Sequence, residues 1–111
     1  MTDCIFCKIA AGEFNTEFIV ETDDYAAFND LNPQAPVHVL VIPKKHSASL
    51  NETESQELLG MLLNGAKEVA EKTGIADGYR VVINTGKEAG QTVFHLHLHV
   101  LGGREMLWPP G

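Results

Sequence analysis

Three histidines alternate with apolar residues in Phe94-His95-Leu96-His97-Leu98-His99-Val100-Leu101, and the whole chain has only five. A strand turns successive side chains to opposite faces, so the alternation predicts His95, His97 and His99 on one face, roughly 6.6 Å apart. Phe94, Leu96, Leu98 and Val100 then point into a core. Near neutral pH such a row of imidazoles serves two kinds of chemistry. One is metal binding, zinc above all; the other is nucleophilic and acid–base catalysis.

Just upstream, Asn84, Gly86, Gly90, Gln91 and Thr92 mark a polar, glycine-containing loop. Glycines let backbone N–H groups approach an anion, and Asn, Gln and Thr add donors. A phosphate beside the histidines would need such a loop, although a glycine-rich hairpin connection looks similar. No Gly-Lys-Ser/Thr follows, so it is not a Walker A loop. Cys4-x-x-Cys7 is a redox pair, half a metal site, or neither. There is no second Cys-x-x-Cys, so zinc at this pair would need histidines as its other two ligands.

The elements that must position these groups are legible in outline. Cys4 to Ala11, stopped by Gly12, reads as a short helix. Phe18–Glu21 and Tyr25–Phe28 read as strands around an Asp23-Asp24 turn, and Asn32-Pro33-Gln34-Ala35-Pro36 as a loop. Val37–Ile42 is a mostly apolar strand ended by Pro43. Thr53-Glu54-Ser55-Gln56 fits a capping box. Leu58, Leu59, Leu62, Leu63, Ala66, Val69 and Ala70 follow at helical spacing, with Gly74 as the stop. Tyr79–Asn84 and the histidine segment complete the strands. The pattern predicts an α+β fold: an antiparallel five-stranded sheet with one long helix and a short N-terminal helix.

At 111 residues the chain is expected to be one domain, residues 1–111. The net charge of −7 argues against nonspecific nucleic-acid binding, which needs a basic surface. The start lacks a basic n-region and a long apolar run, and no stretch is long enough to span a bilayer. A cytoplasmic protein without membrane or nucleic-acid partners is expected, its cysteines held as thiols or metal ligands.

His95-Leu96-His97-Leu98-His99-Val100-Leu101 resembles the signature of the histidine triad (HIT) family. Ala27–Pro36, His38–His46, Gly90-Gln91-Thr92, Gly102-Gly103-Arg104 and Met106–Gly111 resemble its Hint branch, so the likeness covers essentially the whole chain. It implies a hydrolase that cleaves the P–N bond of purine nucleoside 5′-phosphoramidates (AMP-amine, AMP-lysine or aminoacyl-adenylate type), releasing AMP or GMP. By that resemblance His97 is the nucleophile, His99 contacts the phosphate and His38 orients the cluster. Asn84, Gly90, Gln91 and Thr92 would hold the phosphate, and Asp30 the ribose. Ile5, Phe6, Ile9, Phe28, Leu31 and Leu40 would form the base slot, with core packing an equal account of Ile9 and Leu40.

The same resemblance implies a structural zinc on Cys4, Cys7, His46 and His95. It also implies a homodimer whose sheets join through strands and the long helix, the Trp108 tail shaping the neighbouring site. Asn29 and Asn32 depart from the usual pattern near Asp30, and Thr92 replaces a common Ser while keeping the hydroxyl. Two alternatives remain: a nucleotide-binding interaction protein with little turnover, and a dinucleoside polyphosphate hydrolase of a neighbouring branch.

Overall fold

The computed structural model describes residues 3–111; the expectation about the chain's first two residues lies outside them. The order is α1 (Ile5–Ala10), β1 (Val20–Glu21), β2 (Tyr25–Asn29), β3 (Val37–Pro43), α2 (Gln56–Lys72), β4 (Tyr79–Val82) and β5 (Leu98–Gly102). The strands form one antiparallel sheet in the order β1-β2-β3-β5-β4. The expected α+β architecture is therefore present, with five strands, one long helix and one short one.

The sheet is covered on both faces, which explains why β3 reads as a continuous apolar run instead of an alternating one. On one face Tyr25, Ala27, Val39, Val41, Leu98 and Val100 pack against the α2 stripe of Leu62, Ala66, Val69 and Ala70. On the other, Phe28, Leu40 and Ile42 pack against Phe6 of α1. The register sets Leu40 opposite His99 and Phe28 opposite Leu40, so the second face carries chemistry beside an apolar wall.

Helix α2 ends as expected. Gly74 has φ +80°, its N–H reaches Glu71 C=O, and Ile75 N–H reaches Ala70 C=O at 2.9 Å. That is a Schellman closure, with buried Ile75 as its apolar partner. The start of α2 differs from expectation. Ser55, not Thr53, is the N-cap, accepting Leu58 N–H at 3.1 Å. Thr53 instead donates its hydroxyl to Ser49 C=O, which takes it out of any capping box.

The histidine segment also differs from a straight strand. β5 begins only at Leu98, so of the three histidines His99 alone lies in the sheet. His95 C=O accepts a hydrogen bond from His97 Nδ1, and Leu96 N–H donates to Ser47 C=O, so neither is free for a neighbouring strand. β4 stops at Val82, opposite His99, for the same reason. Leu96, Leu98 and Val100 are buried as expected, but Phe94 is 53% exposed, because the chain bends before it reaches the core. No helix among the described residues is long and apolar enough to cross a membrane.

Candidate active site and metal cluster

Three histidines of the site, His38, His95 and His97, each meet a backbone group whose role admits one answer. A backbone carbonyl only accepts, and a backbone N–H only donates. His97 Nδ1 lies 2.8 Å from His95 C=O and must carry its proton there, leaving a lone pair on Nε2. His95 Nε2 lies 2.8 Å from Pro43 C=O, so its lone pair is on Nδ1. Gln34 N–H donates to His38 Nδ1 at 3.0 Å, which places the His38 proton on Nε2. That proton faces His99 Nδ1 at 2.9 Å, so neutral His99 carries its own proton on Nε2.

The consequence is one acceptor nitrogen and one donor nitrogen side by side. His97 presents a lone pair on Nε2 and His99 a hydrogen-bond donor on Nε2–H, the rings 5.0 Å apart. Burial, then the neighbouring His97 and His38, lowers the His99 pKa to about 4 against a partial opposing pull from Asp30. His99 is therefore neutral at neutral pH, as the hydrogen-bond pattern requires.

Asp30, His38 and His99 lie close enough to suggest a metal site. The tautomers argue otherwise. With Nδ1 already accepting Gln34 N–H, His38 could ligate through Nε2 only as an imidazolate. The trio is a line held by the His38–His99 hydrogen bond, with Asp30 Oδ2 flanking it 3.4 Å from His38 Nε2. Asp30 Oδ1 is engaged by Asn32 N–H at 2.8 Å, which leaves Oδ2 as the freer oxygen.

A cavity of about 490 Å³, in the usual range for small-molecule sites, opens over this line. Of the residues singled out from sequence, Ile5, Phe6, Ile9, Phe28, Leu31 and Leu40 form its apolar wall, and Asp30, Thr92, His97 and His99 its polar end. Leu31 is fully exposed at the mouth, whereas Leu40 and Phe28 also belong to the core. Phe14, Thr16, Asn29 and Val93 join the lining and were not expected. Nothing in the spacing marks Phe14 or Thr16, which reach the cavity from the connection between α1 and β1.

Three expected phosphate-loop residues lie elsewhere. Asn84 and Gly90 do not line the cavity. Gln91 is buried, and its amide is spent on the loop itself. Oε1 accepts Gly86 N–H at 2.9 Å, while Nε2 donates to Ala48 C=O at 2.8 Å and Val93 C=O at 3.1 Å. Its backbone N–H goes to Gly86 C=O, and that of Gly90 to Lys87 C=O. Gln91 is thus the strut of the 86–93 loop and has no N–H left for a phosphate; the loop's contribution to the cavity falls to Thr92 and Val93.

The cysteines meet two histidines on the far side of Phe6. Cys4 Sγ is 3.2 Å from His95 Nδ1, Cys7 Sγ is 3.4 Å from His46 Nδ1 and 3.5 Å from His95 Nδ1, and the two Nδ1 atoms are 3.2 Å apart. Tetrahedral zinc with ordinary bond lengths spaces sulfur and nitrogen ligands about 3.6 Å apart and two nitrogens about 3.3 Å apart. The donor set, the distances and the inward lone pair of His95 all fit a closed Cys₂His₂ metal site. Burial lowers the His95 pKa, a bias toward the neutral, ligating form. Burial, and then Cys4, raises that of Cys7.

Comparison with known proteins places this arrangement. An uncharacterised HIT-like protein of Synechocystis is 57% identical over 111 residues, covering 98% of this chain and 97% of that protein. The crystal structure of a HIT family hydrolase from Legionella pneumophila superposes with a TM-score of 0.94 at 48% identity, covering 98% of this chain and 100% of that one. A histidine triad protein from Clostridium difficile matches with a TM-score of 0.91 at 42% identity, covering 96% of each chain. The HIT domain family model matches residues 11–106, which carry all three alternating histidines, and the chain belongs to the HIT family.

Proposed function

We propose that the protein is a nucleotide-binding hydrolase acting on purine nucleoside 5′-phosphoramidates. The observation that carries this is the pair of fixed tautomers: a lone pair on His97 Nε2 beside a proton on neutral His99 Nε2. The base lies against Phe6, Phe28 and Leu40, and the ribose hydroxyls reach Asp30 Oδ2. Thr92 and His99 donate to the phosphate oxygens, where charge develops.

His97 Nε2 attacks phosphorus; the P–Nε2 bond forms, the P–N bond breaks, and the amine leaves with a proton drawn from solvent. The His95 carbonyl, held to Nδ1–H, steadies the positive charge on the nucleotidyl-imidazole. Water then attacks phosphorus, the P–Nε2 bond breaks, and the nucleoside monophosphate departs as a proton is released. Two easier displacements replace one hard one.

Cys4, Cys7, His46 and His95 would hold a structural zinc. Held there, it would tie α1 to the segments that follow β3 and precede β5, and His97 and His99 would remain free for the displacement. The active form is a homodimer acting as one HIT domain per chain in the cytoplasm. Its support is the open β4 edge, the exposed Leu63 on α2, and a tail whose Trp108 is 81% exposed. The test is AMP release from adenosine 5′-phosphoramidate. The native chain releases AMP and His97→Ala does not; binding of AMP without release by either protein would instead mark an interaction protein.

A further inference from the structure

The two residues between the cysteines, Ile5 and Phe6, line the active-site cavity. The Phe6 ring sits edge-on to His97 at 5.1 Å, to Phe28 at 5.8 Å and to His95 at 5.9 Å. At both ends of this dipeptide the chain is tied down by sulfur, through Cys4 to His95 and Cys7 to His46. The His95 carbonyl in turn holds the nucleophile's Nδ1–H. A change of state at the two sulfurs therefore reaches the cavity wall within one residue and His97 within two. Both thiols are free and partly exposed.

We propose that Cys4 and Cys7 form a peroxide-sensitive switch on nucleotide binding. The proposal rests on the nucleotide reading of the cavity and adds its regulation. Hydrogen peroxide takes two electrons from the two sulfurs, and two protons from the thiols or, where a metal holds them as thiolates, from solvent. The Sγ–Sγ bond forms, the O–O bond breaks, and two waters result; any metal held by the cluster is released as its cation. The four ligand atoms lie within 4.8 Å of one another, so the sulfurs are near enough to join. A disulfide draws them to about 2.05 Å, too short an edge to span a metal, and away from the histidine nitrogens. Helix α1 then loses its ties to His46 and His95, and the Ile5–Phe6 wall loosens.

The test is AMP binding by calorimetry on the reduced protein as purified, again after hydrogen peroxide, and again after dithiothreitol. Oxidation is expected to lower the mass by about 2 Da and release metal to a chromogenic chelator. AMP affinity should fall about tenfold, equivalent to about 1.4 kcal/mol, and dithiothreitol should restore it. Cys7→Ser, compared with its own untreated state, should show neither the mass loss nor the affinity change. The switch is refuted if no disulfide forms, or if a disulfide verified by mass leaves AMP affinity unchanged. It is refuted too if the loss persists in dithiothreitol or occurs equally in Cys7→Ser, since damage then lies elsewhere. If the reduced protein binds no AMP, the nucleotide reading itself fails and the switch falls with it, while mass and metal release still report what the sulfurs do.

Discussion

Replacing His99 by Asn should flatten the acid limb of the stability profile. In the folded protein burial and the neighbouring His97 and His38 hold the His99 pKa down at about 4, against an ordinary 6.5 in the unfolded chain. Between those values the unfolded chain binds more protons, so stability rises with pH. The contribution is complete above about pH 6.5 and is lost as pH falls toward 4. A tenfold difference in proton affinity is worth about 1.4 kcal/mol, so the full shift corresponds to about 3.4 kcal/mol; His99 is only half-buried, and solvent screening brings the expected loss across this window to about 2–3 kcal/mol. Asn can still accept the His38 Nε2–H through its side-chain oxygen but does not titrate. Urea unfolding of both proteins from pH 4 to 7.5, at matched metal content, gives the difference directly; His95 and the carboxylates titrate in both and largely cancel. The profiles should converge toward acid. Parallel profiles would refute the assignment of a half-buried, neutral His99 and with it the proposed donor role at the phosphate.

Three further outcomes follow from particular contacts. Gly65→Ala places a Cβ 2.7 Å from the Tyr25 ring, and Tyr25 is buried beneath α2. Overpacking should outweigh the gain in helix propensity and cost about 1–2 kcal/mol, read by thermal denaturation; an unchanged or higher midpoint contradicts the packing. Gln91→Ala removes three hydrogen bonds from the 86–93 loop. It should cost about 1–3 kcal/mol and speed amide exchange across that loop, whereas unchanged exchange would show that the strut is dispensable. Metal analysis of the purified chain should find one zinc per chain, absent in His46→Ala; native protein free of metal after expression with added zinc would rule out the cluster as a resident site.

The α2 stripe, the Gly74 stop and the five strands were legible because hydrophobic period and breaker residues report local geometry. What the sequence could not carry was which backbone group would take each polar side chain. Thr53 looks like a cap, yet its hydroxyl is taken by Ser49 C=O, and Ser55 caps instead. Gln91 looks like a ligand donor, yet its amide is consumed by Gly86, Ala48 and Val93. Phe94 looks like core from its alternation, but the bend at 93–97 turns it to solvent. In each case residue type and spacing were right for the expected role, and the course of the backbone around the side chain decided the outcome.

That same effect explains why three similar histidines spaced two apart take three different parts. Alternation alone predicts a uniform row, with every ring facing one way and titrating alike. The bend before β5 breaks the equivalence. It frees the His95 carbonyl for the His97 ring, and it swings the His95 ring toward Pro43 C=O and the cysteines. His99, alone in the sheet, meets His38 across the β3–β5 pair. A lone pair is thereby exposed on His97 Nε2, another is aimed into the cysteine cluster from His95 Nδ1, and a proton is left on His99 Nε2. The chemistry of the site comes from which ring nitrogen the backbone occupies, and the bend at residues 93–97 makes that choice. A substitution that straightened this segment into a continuous strand would leave every histidine in place and still remove both the Nε2 lone pair offered by His97 and the Cys₂His₂ geometry around His95.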